Sequence, residues 1–275
     1  AGPRHWTGGS DSSTIRLAKD SIVVDHFALQ SGEQQIGVQG RFAFKGEEDL
    51  RLQIRNLNLG QLSGLFPFPY QLEGRMQSEI ALAGTAINPV ISGKVDVERF
   101  RLDTMQLRQI HMGFRYDSDT LYHEGYVDAG VSRMIQTHAR LPLHFSLSDS
   151  LVLPGSQTPL QASLKVDSLD VGMVNPLLSE QGMTASGLLD VNLEVSHTLG
   201  SPVFDGRMQL SRGRFQYPEQ GIDYRDININ STFNPQRIYL QQARFRSGKG
   251  FLNFQGYADM SILNQSDRGM IRLEI

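Results

Sequence analysis

Cysteine is absent from the 275 residues. That excludes disulfides and thiolate metal sites, and it is compatible with any redox compartment, an oxidising periplasm included. Long apolar runs are missing as well. The longest is Ile80 to Ala83, whereas a membrane-spanning helix needs about 20 such residues. No charged start leads into an apolar core and a cleavage site, so no secretory leader is read. Neither charge sign dominates: 26 Lys and Arg against 29 Asp and Glu leave a net −3. This supplies no basic stripe for nucleic-acid phosphates, and it falls well short of a disordered polyanion. Tryptophan occurs once. Helical periodicity is also lacking, because no segment of helix length keeps an i, i+3, i+4, i+7 apolar pattern.

What is present is alternation. Met76, Ser78, Ile80 and Leu82 oppose Arg75, Gln77 and Glu79, and Val95 and Val97 oppose Lys94, Asp96 and Glu98. Leu189, Val191, Leu193 and Val195 oppose Asp190, Asn192, Glu194 and Ser196, and Ile227 and Ile229 oppose Asp226, Asn228 and Asn230. A period of two with one apolar and one wet face is the pattern of antiparallel strands. Parallel βαβ strands read instead as continuous apolar runs between helices. The chain is therefore expected to be all-β, with few or no helices. Two stretches break the alternation. Leu59, Leu62 and Leu65 recur every third residue, as do Val171, Val174 and Leu177, so each is expected to form a single helical turn capping a sheet edge.

The sequence also repeats. Gly74, Pro89, Gly93 and Arg101 recur as Gly187, Pro202, Gly206 and Arg214 at a constant offset of 113, and Arg108–Met112 matches Arg225–Ile229 at 117. Residues 22–40 lie over 238–256 at an offset of 216, with Ser31-Gly32 on Ser247-Gly248 and Gln39-Gly40 on Gln255-Gly256. This gives a partial unit (14–49) and two full units (50–158 and 159–275) in one continuous segment, an array that grows by adding strands. Residues 1–13, Gly/Ser-rich and without periodicity, are expected to be a loose tail or cloning remnant. The alternation still running at "GMIRLEI" reads as an excerpt from a longer protein.

The punctuation of the array is informative. "GTAINPVISG" (Gly84 to Gly93) and "HTLGSPVFDG" (His197 to Gly206) each separate two alternating stretches. Proline cannot donate to a central ladder, so Pro89 is expected in the turn or at a strand start. Gly93 is expected to permit a bend or bulge. "SGKG" (Ser247 to Gly250) has strands rather than a helix beside it and reads as a turn, not a phosphate loop.

Taken in order, these motifs resemble the repeated C-terminal region of the TamB proteins of the translocation and assembly module of diderm bacteria, in the AsmA-like superfamily. The carriers are Leu57-Asn58-Leu59 and Leu169 to Leu178, then Gly84-Thr85 with Pro89 and Gly93. The second copy supplies Gly200-Ser201-Pro202 with Gly206, then Ser247-Gly248-Lys249-Gly250, where the first has Ala129 to Ser132. "ARLPLHFSLS" (Ala139 to Ser148) is similar to the strand that closes a unit in that family. The resemblance implies an elongated, curved antiparallel sheet, a U-shaped β-taco whose concave face is apolar. It implies an inner-membrane-anchored protein, with the anchor outside this segment, that crosses the periplasm towards an outer-membrane β-barrel partner. Phospholipid conduction between the membranes and assistance to outer-membrane protein assembly are the implied roles.

The residues themselves leave two readings of the apolar face. It is either the filled core of a sandwich or barrel, or an open trough that accepts acyl chains. On the trough reading, the lining residues are Ile54, Leu57, Leu59, Met76, Ile80, Leu82, Val95, Val97, Ile110, Met112, Phe114, Leu189, Val191, Leu193, Val195, Met208, Leu210, Ile227, Ile229 and Phe233. Phospholipid or another acyl-chain ligand is then the expected partner, with no nucleic acid and no cofactor. A scaffold that pairs its edge with nascent outer-membrane strands and a passive stalk are the alternatives.

No catalytic site is read. His5, His26, His111, His123, His138, His144 and His197 are scattered, with no HExxH or other compact ligand pair. Asp25-His26 and His123-Glu124 are strand neighbours expected to point to opposite faces. No GxSxG or P-loop follows a strand. The chain is therefore not expected to be an enzyme.

Overall fold

A computed structural model describes residues 5–9, 13–64, 71–103, 105–129, 133–148, 153–259 and 270–274. The chain is all-β, as the alternation demands. In chain order the strands are β1 (Thr7–Gly8), β2 (Thr14–Leu17), β3 (Ser21–Ser31), β4 (Gln34–Ala43), β5 (Glu47–Asn58), β6 (Leu72–Thr85), β7 (Pro89–Leu102), β8 (Met105–Asp117) and β9 (Thr120–Asp128). They continue as β10 (Arg133–Pro142), β11 (Gln161–Asp170), β12 (Thr184–Thr198), β13 (Ser201–Tyr217), β14 (Ile222–Phe233), β15 (Arg237–Ser247), β16 (Gly250–Asp259) and β17 (Ile271–Glu274).

The chain divides into two compact units. The first comprises Ala1–Leu102, Leu107–Gly130 and Arg140–Pro154, and the second comprises the remainder. In the first unit, β3 to β7 pair consecutively and antiparallel, β1 and β2 both pair with β3, and β8 pairs with β9. In the second unit, β11 to β17 pair consecutively and antiparallel. Consecutive pairing keeps every connection local, which is what short turns between alternating segments permit.

The two leucine-rich interruptions are helical turns. Leu59–Gly64 is a 3-10 turn, and Val171–Val174 is another that runs into an α-helix at Asn175–Ser179. Asp170 caps the second, its carboxylate accepting from the Gly172 N–H at 2.8 Å. The side chain of Leu62, Leu65 itself and the Gly130–Ser132 segment lie outside the described residues. One expectation fails in the tail. Thr7 and Gly8 are strand residues opposite Gln30 and Leu29, because the outer edge of β3 offers them backbone partners.

The hairpin readings hold. Thr85 donates its N–H to the Asn88 carbonyl at 3.1 Å and accepts from the Asn88 N–H on Oγ1 at 3.1 Å, closing the turn. Pro89 opens β7 fully buried, opposite Gly84, where no ladder N–H is required of it. Ser247 pairs with Gly250 across Gly248-Lys249, just as Ser31 pairs with Gln34 across Gly32-Glu33. The offset of 216 therefore superposes two hairpins.

The repeat runs deeper than its turns. Between β6 and β7 the register slips at Gly74, where Glu73 faces Arg101 and Arg75 faces Glu98. Between β12 and β13 it slips at Gly187, where Ser186 faces Arg214 and Leu188 faces Ser211. Arg99 and Arg212, which occupy the two bulges, are left-handed at φ +50° and +53°. A bulge of this kind bends the strand and increases its twist. The offset of 113 thus marks a repeated bend, and Arg101/Arg214 are its far side.

Candidate functional site: an apolar sheet face

Residues directly opposite on neighbouring strands project from the same face. In the first unit Phe27 faces Val38, Val38 faces Leu52, Leu52 faces Ile80 and Ile80 faces Gly93. These side chains form one apolar rung across five strands. Two residues along, the next rung runs Val24, Gly40, Leu50, Leu82 and Ile91. On the other side lie Leu29, Ile36, Ile54, Ser78 and Val95. The opposite face carries the polar set: Gln53, Glu79 and Lys94 line up across β5, β6 and β7.

The second unit repeats the arrangement. Leu164, Leu193, Gly206, Phe233 and Ile238 are successive cross-strand partners, as are Val166, Val191, Met208, Ser231 and Leu240. Leu169, Leu189, Leu210, Ile229 and Ala243 form the third rung, Ala162, Val195 and Phe204 a shorter fourth, and Ile227 faces Gly213 beyond the bulge.

This face is not filled. Apart from Pro89, only eight hydrophobic side chains among the described residues are buried: Ala43, Leu57, Leu59, Val97, Leu107, Tyr116, Met134 and Val166. A closed sandwich of this size would bury its inward residues almost completely. Here Ile80, Leu82, Leu189, Val191 and Leu193 are only half-buried. In the first unit a cavity of about 750 Å³ lies over the central rung, lined by Phe27, Val38, Leu52, Ile80 and Phe114 together with polar residues of the same strands, among them Arg51, Gln53, Glu79 and Lys94. That volume is within the range of small-molecule sites.

The structure sorts the sequence-derived lining residues. Ile54, Met76, Ile80, Leu82 and Val95 lie on the apolar face of the first unit, and Leu189, Val191, Leu193, Val195, Met208, Leu210, Ile227, Ile229 and Phe233 on that of the second. Ile110, Met112 and Phe114 alternate along β8 with His111 and Gly113, and Met112 is exposed. Leu57 and Val97 stand directly opposite Met76 on the same face and are buried there, and Leu59, beyond the strand end, is buried as well. Leu59 opens the 3-10 turn, which folds over the end of the sheet and brings its Cδ1 beside Gly74, next to Val97 Cγ1. Phe27, Val38 and Leu52, which complete the central rung, were absent from the sequence-derived set. The signal of Val38 and Leu52 was present in the alternation of "QQIGVQG" and "DLRLQI", but register alone joins them and Phe27 to Ile80.

Gly93 does not form a bulge, since the β6–β7 register passes through it unbroken. Its role is close approach. A Cβ at this position would stand 2.5 Å from Cζ of Phe114, so the ring lies against bare backbone and forms one wall of the cavity. Gly93→Ala is expected to push the ring aside and cost about 1–3 kcal/mol. In urea denaturation, Gly93→Ala/Phe114→Ala should fall short of additivity by about 1 kcal/mol. Strict additivity would show that the ring does not rest on Gly93.

Electrostatic pairs occupy the polar face. Lys94 Nζ lies 3.0 Å from Glu79 Oε2, and the hydrogen bond and charge of Lys94 hold the Glu79 carboxyl below its usual range. His111 Nδ1 lies 2.8 Å from Asp96 Oδ1, its ring stacked on Tyr126 at 4.9 Å. This pair is 15 residues apart in sequence and matches no motif, so only strand pairing reveals it. Gln109 donates to the same carboxylate oxygen at 3.1 Å, so Asp96 orients two side chains of β8. Near the end of β8, Tyr116 is buried. Its hydroxyl accepts from the Phe145 N–H at 2.9 Å and lies 3.0 Å from Asp119 Oδ1. Burial pushes the Tyr116 phenol up, while His144 at 3.0 Å and then Tyr116 hold the Asp119 carboxyl down.

One histidine expectation needs correction. His26 Nε2 approaches Asp25 Oδ1 to 3.6 Å, because His26 sits left-handed (φ +51°) in a bulge between Val24 and Phe27 and escapes strand alternation. Both side chains are exposed, so the pair contributes little. Among the described residues, no three His, Asp or Glu side chains gather closely enough to hold a metal ion. No described helix is long and apolar enough to cross a membrane.

Comparison with known proteins adds little. No family model matches the chain, and no solved structure matches it. Among curated proteins, Protein SUBSTANDARD STARCH GRAIN 4, chloroplastic, of Oryza sativa subsp. japonica is 22% identical over 209 residues. The match covers 76% of this chain and 9% of the rice protein, so the chain spans less than a tenth of that relative's length.

Proposed function

We propose that the apolar face binds and conducts acyl chains, and that the chain is a segment of a longer protein moving phospholipid between two membranes. The observation that carries this reading is the central rung of the first unit, half-buried apolar side chains beneath an unfilled cavity of about 750 Å³. Each methylene withdrawn from water contributes about 0.8 kcal/mol, so a chain of about 16 carbons gains about 13 kcal/mol before costs. Association costs about 4–15 kcal/mol, leaving a modest net affinity. The gain is spread over rungs of similar apolar chemistry, a surface suited to sliding rather than fixed capture. By its motifs, the setting we propose is the periplasm, with an inner-membrane anchor outside this segment and an outer-membrane β-barrel partner in protein assembly. On this reading the chain performs no covalent chemistry.

Native mass spectrometry of the purified protein tests the reading. Adducts with phospholipid or fatty-acid masses, lost on delipidation and regained with added lipid, are the expected result. Delipidated protein that takes up no acyl ligand would overturn it.

A further inference from the structure

The polar face of the second unit carries a feature that the acyl-chain reading does not use. Near the Ser247–Gly250 hairpin, Arg225 and Arg246 are direct cross-strand partners, and Arg246 also faces Phe251. Like charges directly opposite on adjacent strands destabilise a sheet. Each arginine of this pair has its own carboxylate. Asp223 pairs with Arg214 at 3.1 Å and Arg225 at 2.5 Å, its carboxyl held down to about 2 by Arg225 first and then Arg214. Asp226 pairs with Arg246 at 3.2 Å. Arg244 and Lys249 have no carboxylate partner among the described residues. Arg244 instead stands 5.1 Å over the ring of Phe251, which is 64% exposed.

Two clefts open between these groups. One, of about 520 Å³, is lined by Asp226, Asn228, Arg244, Arg246, Lys249 and Phe251, and the other, of about 330 Å³, by Asp223, Arg225 and Arg246. Guanidinium groups around a cleft suit a phosphodiester, whose oxygens accept paired N–H donors. An exposed aromatic ring amid cations is the composition of a surface that lies in the headgroup region of a bilayer. The cationic excess is local, since the whole chain is net −3.

We infer that this face of β14–β16 docks on an anionic phospholipid membrane, with Arg244 and Lys249 on headgroup phosphates and Phe251 at the acyl boundary. The inference is independent of the apolar trough. Vesicle flotation of the intact protein tests it, using phosphatidylcholine vesicles with and without phosphatidylglycerol. Binding is expected only with phosphatidylglycerol, and it should weaken between about 0.1 M and about 1 M salt as screening shortens. Arg244→Gln/Lys249→Gln should lower the partition about 30-fold, about fivefold per cation removed. Phe251→Ser should weaken binding while keeping its salt dependence. If the double variant loses its circular-dichroism spectrum, Lys249→Gln alone, at the hairpin tip, should still give about fivefold. Equal binding to neutral vesicles, or unchanged binding of a folded variant, would overturn the inference. So would displacement by inorganic phosphate or by an oligonucleotide, which would identify a free-anion or nucleic-acid site instead.

Discussion

Ile80→Asp should abolish acyl-chain uptake by the first unit, lowering the affinity for a fluorescent long-chain fatty acid about 100-fold. Ile80 stands in the middle of the central rung, between Leu52 and Gly93, and lines the cavity. A carboxylate there must keep its water, and excluding that water to seat an apolar chain costs about 3 kcal/mol, which accounts for a loss of about 100-fold. The fold should tolerate the change, because Ile80 is only half-buried and the carboxylate stays hydrated when no ligand is present. Leu193→Asp is the matched substitution in the second unit, opposite Gly206. Circular dichroism and urea denaturation should find both variants folded. Undiminished binding in both would remove the apolar face from the ligand path.

Gly206→Ala should act on the fold itself, costing about 4 kcal/mol or more and lowering the melting temperature by about 10 °C. Gly206 has φ +146°, a region that side-chain-bearing residues seldom adopt, and an added Cβ would stand 2.0 Å from the Asn192 carbonyl oxygen. That oxygen belongs to the backbone of β12, so no rotamer change relieves the overlap and the strand pair must separate. Arg207→Ala, one residue on and exposed, should change stability by less than about 0.5 kcal/mol. Equal effects at the two positions in urea denaturation would show that the β12–β13 pairing is looser than described.

The alternation in "RMQSEIALA" and "LLDVNLEVS" was enough to reveal strands, their antiparallel pairing and which residues share a face, because a side-chain period of two leaves no other assignment. The 113-residue offset was equally legible, and it correctly matched Gly74 with Gly187 and Arg101 with Arg214. What the offset meant was not legible. A bulge exists only when two strands are in register, so Arg99 and Arg212 look like ordinary polar-face residues until Gly74 and Gly187 are seen opposite them. The contact between Asp25 and His26 is hidden from the sequence for the same reason, since a left-handed residue breaks the alternation that would place them on opposite faces.

The candidate site divides in the same way. Ile80 and Leu82 on β6, Leu189, Val191 and Leu193 on β12, and Met208 on β13 follow from local pattern. The joining of Phe27, Val38 and Leu52 to Ile80, and the seating of Phe114 against Gly93, depend on cross-strand register and on the backbone's approach to a ring. By itself, the sequence determined the all-β class, the turns, the repeat and the apolar face, since each is set by residues within a few positions of one another. Tertiary structure alone decided that the face stays half-buried under a cavity, that Leu57, Leu59 and Val97 are covered, and that Arg225 stands opposite Arg246. Those outcomes depend on which strand lies beside which and on how closely the backbones approach.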